Sequence, residues 1–152
     1  ETVVADRLTS VGASAFAYCV SLAEISEEKI ETIGTQGFYG CVSLTELNLA
    51  AIRTIGDYAF LQALTLKNVT IGSAVEKIGK NAFAYANAEG EEGTVLTVTF
   101  LGTDVPEFGE EIFKEVAALE IVVADEATKT AFAAALEAYA EYIVVASAAA
   151  AA

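Results

Sequence analysis

Five phenylalanines, Phe16, Phe38, Phe60, Phe83 and Phe113, recur along the chain at steps of 22, 22, 23 and then 30, and each carries its neighbours with it. Four positions before each stands a glycine: Gly12, Gly34, Gly56, Gly79 and Gly109. Just before the glycine comes an apolar residue (Val11, Ile33, Ile55, Ile78, Phe108), and three positions earlier comes another (Leu8, Ile30, Ile52, Val75, Val105). Such a stride is the signature of a stacked-repeat architecture. A unit of this length cannot bury its apolar face alone; laid on a copy of itself, it can.

Within a unit the periods differ. Downstream of Phe come a small residue (Cys19, Cys41, Ala63, Ala86), then leucine (Leu22, Leu44, Leu66), then Ile25, Leu47 and Val69. Leu47 and Leu49 alternate with polar residues, as do Leu96, Val98 and Phe100 with Thr97 and Thr99, which predicts strands buried on one face. The Ile–Gly pair reads as a second short extended segment ending in a bend where glycine relieves the backbone. Gly to Phe reads as a turn or short helix that drops Phe into the core. Each buried Phe contributes roughly 1.5–3 kcal/mol before entropy, so the Phe set is core and not a ligand box.

The pattern breaks twice. The polar, acidic segment 87–93 interrupts the fourth unit and accounts for the longest step. Beyond the strand Leu119–Val123 the period becomes helical: Phe132, Leu136, Tyr139 and Ala140 follow Asp125, which suits a helix N-cap. The predicted helix runs from 125 to 140, and a strand at 142–145 closes the end. The expected organisation is repeats over 1–124, a cap over 125–146, and an alanine-rich tail over 147–152 outside the fold. Glu1 to Asp6 reads as no cap, so further repeats preceding this segment, or a partner subunit, are expected there, with end-on self-association as a consequence. The absent initiator Met fits a mature fragment.

The unit I-x-x-I-G-x-x-A-F-x-x-C-x-x-L-x-x-L-x-L, carried by Ile30, Ile33, Gly34, Phe38, Cys41, Leu44, Leu47 and Leu49, resembles the BspA-type leucine-rich repeat. Ala15, Ala59 and Ala82 hold the family's alanine before Phe; Gly37 and Ile112 depart from it, and Ala124 replaces the usual proline after the last strand. The resemblance implies an α/β repeat solenoid. This is a right-handed leucine-rich-repeat coil with a parallel β-sheet face, a C-terminal helix-strand cap and five repeats of roughly 22–30 residues. It also implies a noncatalytic, extracellular recognition module on a bacterial cell surface, adhesin-like, that binds host matrix or cell-surface proteins. The alternatives are a spacer in a larger surface protein and an accessory domain of a cell-wall enzyme.

Charge narrows the partners. Eight Lys and Arg stand against 22 Asp and Glu, for a net charge of −14. Phosphate backbones and anionic membranes are repelled by such a surface, and no apolar run is long enough for a membrane helix. The charge serves solubility first, with attraction for basic partners or divalent cations as the sharper reading. With no His, the chain offers no imidazole base or ligand, and no G-x-S-x-G, P-loop or H-E-x-x-H occurs. No catalytic residue, metal or cofactor is expected.

Three sets remain as candidate sites. Outward strand positions, by alternation, are Glu24 and Ser26, Glu46 and Asn48, Asn68 and Thr70, Thr97 and Thr99, then Glu120 and Val122. They form either a binding face or an ordinary solvated sheet without exposed aromatic anchors. Cys19 and Cys41, one stride apart, fall on the same rung of adjacent coils; buried free thiols are favoured over a bridge. Glu89, Glu91, Glu92 and Glu107, Glu110, Glu111 are read as solvated acidic surface in preference to calcium ligands, since the D-x-D-x-D-G spacing is missing.

Overall fold

The computed structural model describes residues 1–4, 7–26 and 28–147; the Ala148–Ala152 tail and part of the Glu1 to Asp6 segment lie outside the described residues. The chain winds as a repeat solenoid with two strand ladders. The longer strands, β5 (Glu46–Leu49), β7 (Asn68–Ile71), β9 (Leu96–Phe100), β11 (Leu119–Val123) and β12 (Ile143–Val145), form a five-stranded sheet in that order. All its pairings are parallel and in register, Leu47 with Val69, Val69 with Val98, Val98 with Ile121 and Ile121 with Ile143. The two-residue strands β2 (Ser10–Val11), β4 (Thr32–Ile33), β6 (Thr54–Ile55), β8 (Lys77–Ile78) and β10 (Glu107–Phe108) form the second sheet, also parallel. The equal sequence strides have become straight rows.

The residues between the sheets hold a third ladder that the sequence reading missed. The turn around Phe is no helix. The amides of Gln36, Phe38 and Gly40 donate to the carbonyls of Asp57, Ala59 and Leu61 on the next coil, at 2.8–2.9 Å. The interleaved amides of Gly37, Tyr39 and Cys41 donate back along their own coil, to Gly34, Gln36 and Phe38. The same alternation recurs in the coils of Phe16, Phe60 and Phe83. It needs left-handed backbone two positions before Phe (Ser14, Gln36, Tyr58, Asn81, Glu111) and two after (Tyr18, Gly40, Gln62, Tyr85, Glu115). Only Gly40 among these is glycine, and left-handed backbone costs other residues about 1 kcal/mol or more. In the first four coils the amides that these residues and Phe donate to the next coil hold them there.

The glycines four positions before Phe serve packing, not conformation. Gly34, Gly56, Gly79 and Gly109 have no left-handed φ. A Cβ on Gly56 would lie 2.6 Å from Gly34 C and Thr35 N, and one on Gly109 would lie 2.4 Å from Lys80 N. Each glycine therefore lets one coil's backbone rest on the next, which corrects the expectation of a relieved bend. Gly12, in the first such coil, has no atom within 4 Å of that position.

The phenylalanine rings form one stack. Centroids lie 5.2 Å apart from Phe16 to Phe38, Phe38 to Phe60 and Phe60 to Phe83, with planes within 6° of parallel, and 5.8 Å apart from Phe83 to Phe113. Phe38, Phe60 and Phe83 are fully enclosed, whereas Phe16 is half-buried. Leu44, Leu47, Leu49, Ile52 and Ile55, with their equivalents on neighbouring coils, complete the core. One register slips: Val105 is exposed and Pro106 is buried in its place. On the preceding coils Arg53 and Glu76 each donate an amide here, Glu76 to Arg53. Proline has no amide to donate, and Glu107 alone donates to Glu76 O.

The cap is shorter in helix than the periodicity predicts. Asp125 is the N-cap: Oδ1 accepts from the Thr128 amide at 2.8 Å, a bond that holds its carboxyl below the usual aspartate range. The helix α1 (Glu126–Ala135) stops where Leu136 leaves helical geometry, at φ −119°, and a 3-10 helix (Glu137–Tyr142) leads into β12. Phe132 plugs the core edge-on against Phe100 and Phe108. Tyr139 closes the phenylalanine stack, edge-on to Phe113 at 5.4 Å, and its hydroxyl accepts the Phe113 amide at 3.3 Å. That amide sits where interior coils donate to a following carbonyl.

At the other end β1 (Thr2–Val3) pairs in parallel with β3 (Glu24–Ile25), Thr2 opposite Glu24. The common stride thus places β1 as the strand of a coil ahead of those counted on Phe, so Glu1 to Val3 is repeat, not bare lead-in.

Candidate binding face

The alternation that buries Leu47, Val69, Val98 and Ile121 turns the nominated residues outward in two rows. One row runs Glu46, Asn68, Thr97, Glu120; the other runs Asn48, Thr70, Thr99, Val122 and continues to Val144. Strand pairing sets the rungs of each row ~4.8 Å apart. Asn68 Nδ2 donates to Glu46 Oε1 at 3.3 Å, so neighbouring rungs brace one another. Glu46 and Asn48 are exposed, whereas Thr70, Thr97 and Thr99 are half-buried.

Glu24 and Ser26 do not belong to this sheet. Their strand pairs with β1 and not with β5, and the Ser26 amide donates to Val3 O. A cleft of about 270 Å³, lined by Ala23, Glu24, Ile25, Thr45 and Glu46, separates the two. The nominated face is therefore interrupted in its ladder: four continuous coils run from Glu46 onward, and the N-terminal pair of strands lies beside them without strand pairing to β5. Alternation tells which way a side chain points, but not whether neighbouring strands bond.

Toward the cap the face becomes concave and apolar. A groove of about 620 Å³ is lined by Thr97, Thr99, Leu101, Glu120, Val122 and Val144, with Ala124, Ala146 and Ser147 at its margin. Leu101 is 57% exposed and Val144 37%, so this end of the face is aliphatic where the rest is polar. Neither was nominated from the sequence. For Val144 a signal existed, since the alternation of the last strand turns it outward opposite Val122. For Leu101 the same signal existed, since it stands two positions after Thr99 and continues the alternation one step past its strand.

The other candidate residues are spread out. Cys19 is half-buried and Cys41 fully buried, and both are free thiols. Cys41 Sγ donates to Phe16 O at 3.0 Å, and burial, with the neighbouring Cys19, pushes its thiol up to about 11. Four of the six acidic residues pair with lysines: Glu91 with Lys67 at 4.0 Å, Glu107 with Lys77 at 3.1 Å and Glu110 with Lys80 at 3.0 Å across coils, and Glu111 with Lys114 on its own coil at 3.2 Å. Lys114 holds the Glu111 carboxyl below its ordinary range. Among the described residues no three His, Cys, Asp or Glu side chains converge as metal ligands, and no helix is long and apolar enough to cross a membrane.

Comparison with known proteins agrees with this geometry. The family model for the BspA type leucine rich repeat region matches residues 1–120 in six copies, one more than the phenylalanines count. No curated protein matches the chain. Among solved structures, the pneumococcal vaccine antigen PcpA superposes with a TM-score of 0.60 at 21% identity, over 84% of this chain. The chain spans 31% of that structure, a likeness that shows the fold. With the repeat model matched over most of its length, this chain belongs to the BspA-type leucine-rich repeat family.

Proposed function

We propose that the chain is a noncatalytic, surface-exposed recognition module of a bacterial cell, and that the four-coil face from Glu46 to Val144 takes host matrix or cell-surface proteins. Residues 1–124 act as the recognition spiral and 125–146 as its closure. The observation that carries this reading is the register: Glu46, Asn68, Thr97 and Glu120 form one row, Asn48, Thr70, Thr99, Val122 and Val144 another. Such a face is rigid, extended and pre-organised, so little entropy is lost when a long partner is matched against it. A net charge of −14 disfavours nucleic acid and anionic lipid and favours partners with basic surfaces.

Immobilised chain should retain one or more purified extracellular-matrix proteins, and the Glu46→Ala, Asn48→Ala double variant should retain less. Undiminished capture by that variant moves the site off this face. No capture of any matrix or cell-surface protein favours a spacer role. Protease treatment of intact source cells should release the chain if it lies outside. End-on self-association would appear as a dimer in sedimentation that Phe16→Asp removes.

A further inference from the structure

The position three after phenylalanine faces the core and is filled on successive coils by Cys19, Cys41, Ala63 and Ala86. Sulfur therefore stands only on the first two rungs. The coils that carry it are closely joined. The amides of Phe16 and Tyr18 donate to Gly37 O and Tyr39 O at 2.8 and 2.6 Å, and the Phe16 and Phe38 rings stack at 5.2 Å. Cys41 Sγ is directed at the first coil. It donates to Phe16 O at 3.0 Å, the same oxygen that takes the Cys19 amide at 3.2 Å. The two thiols differ in access, since Cys19 is half-buried and Cys41 is enclosed.

We infer that Cys19 and Cys41 are a redox modification site, at which a small disulfide such as oxidised glutathione converts the two thiols to a bridge between the first two coils. Cys19, the reachable sulfur, attacks the small disulfide as thiolate, keeps one half and releases the other as a thiol. Cys41 then gives its proton to solvent and attacks the Cys19 sulfur, which forms the protein S–S bond and releases the second half. Two protein thiols are oxidised while one small disulfide is reduced to two thiols, so protons and electrons balance. The inference does not depend on the recognition role.

Geometry gives the bridge its character. Equivalent residues on stacked coils have Cα atoms about 5 Å apart, inside the ~4.4–6.8 Å range of disulfides. Their Cα–Cβ bonds run side by side, so the Cβ atoms stand about as far apart, beyond the ~3.8 Å mean of relaxed bridges. Closing the bond must draw one coil toward the other. The first coil can give, because Phe16 is half-buried and a Cβ on Gly12 would meet nothing. A bridge closed by such a shift is strained and easily reduced, which makes it a switch and not a permanent staple.

The test incubates the native full chain, reduced and then freed of reductant, with oxidised glutathione. Intact mass and the thiols left for N-ethylmaleimide after denaturation are read. The expected product is a monomer two hydrogens lighter with no free thiol, which mixed glutathione buffers return in part to the reduced form. Hydrogen exchange at the Phe16 and Tyr18 amides should slow in it. Alanine already fills this rung at 63 and 86, so Cys41→Ala keeps the fold; it should stop at a glutathione adduct on Cys19, and Cys19→Ala should hardly react. Because burial pushes the Cys41 thiol up to about 11, release of the second glutathione should quicken about tenfold for each pH unit above neutrality. An unaltered chain that does not react, keeps the adduct on Cys19, forms a linked dimer, or closes the bridge only in urea overturns the inference. So does exchange at Phe16 and Tyr18 that the bridge leaves unchanged.

Discussion

The two ends of the phenylalanine stack are built differently, although the repeat unit is the same. At the first ring, Phe16 is half-buried, Cys19 beside it is half-buried, and Gly12 has open space where a Cβ would stand. At the last, Phe113 is buried, Tyr139 lies edge-on against it and accepts a hydrogen bond from its amide, and Phe132 fills the core beyond Phe100 and Phe108. A unit's sequence states what it offers to a neighbour. Whether the offer stabilises anything depends on what is stacked there. Identical residues in the repeat are therefore not energetically identical.

The phenylalanines themselves should break this comparison most visibly. Phe60→Ala removes a fully enclosed ring between two others, and a loss of about 3–5 kcal/mol is expected in urea unfolding. Phe16→Ala should cost less than half as much. Equal losses would mean that the first coil is as well covered as the third. Next come the glycines. Gly56→Ala forces a methyl group to within 2.6 Å of the preceding coil's backbone and should cost about 1–3 kcal/mol as overpacking. Gly12→Ala meets nothing and should be neutral or stabilise by roughly 0.4–1 kcal/mol through the unfolded chain. A destabilising Gly12→Ala would contradict the free space at that glycine.

The closed end is tested more finely by Tyr139→Phe, which keeps the edge-on ring and removes the acceptor of the Phe113 amide. A loss of about 1–2 kcal/mol is expected for an amide left without a partner, together with faster hydrogen exchange at Phe113. No change in exchange would show that the ring alone closes the stack. The smallest effect is kinetic. In native protein at neutral pH, iodoacetamide should modify Cys19 well before Cys41. Cys41 is enclosed, donates its proton to Phe16 O, and is pushed up to about 11. Comparable rates would place the first two coils in free exchange with solvent.

Much of this was legible in the residues. Leu47 and Leu49, Leu96 to Phe100, and Ile33 with Ile55 and Ile78 declare their strands and inward faces by alternation and stride alone, because a period-2 pattern has one solution when one side must be buried. Asp125 announces the helix start, since a carboxylate just ahead of free amides is a local arrangement. The helix end was not legible. Leu136, Tyr139 and Ala140 keep helical spacing while the backbone tightens to a 3-10 turn, because Tyr139 is drawn onto Phe113 by a tertiary contact. The left-handed residues Gln36, Tyr58, Gln62 and Asn81 carried no signal either. Their backbone is imposed by amides that must find carbonyls one coil away.

The candidate face divides the same way. Glu46, Asn48, Asn68, Thr70, Thr97, Thr99 and Glu120 were placed outward by counting, and they stand outward in register. The separation of Glu24 and Ser26, and the apolar groove at Val144 and Leu101, arise from which strands bond and from where the cap's last strand returns.

By itself the sequence determined the stride, the inward and outward faces of each coil, and the identity of the stacked rings, because these follow from short-range periodicity repeated at a constant interval. The tertiary structure alone decided how each coil meets the next: the glycine contacts, the left-handed turns, the unpaired step before Glu46 and the closure by Tyr139. Each of these depends on atoms from a neighbouring coil, a full stride away along the chain, and nothing local specifies their distance.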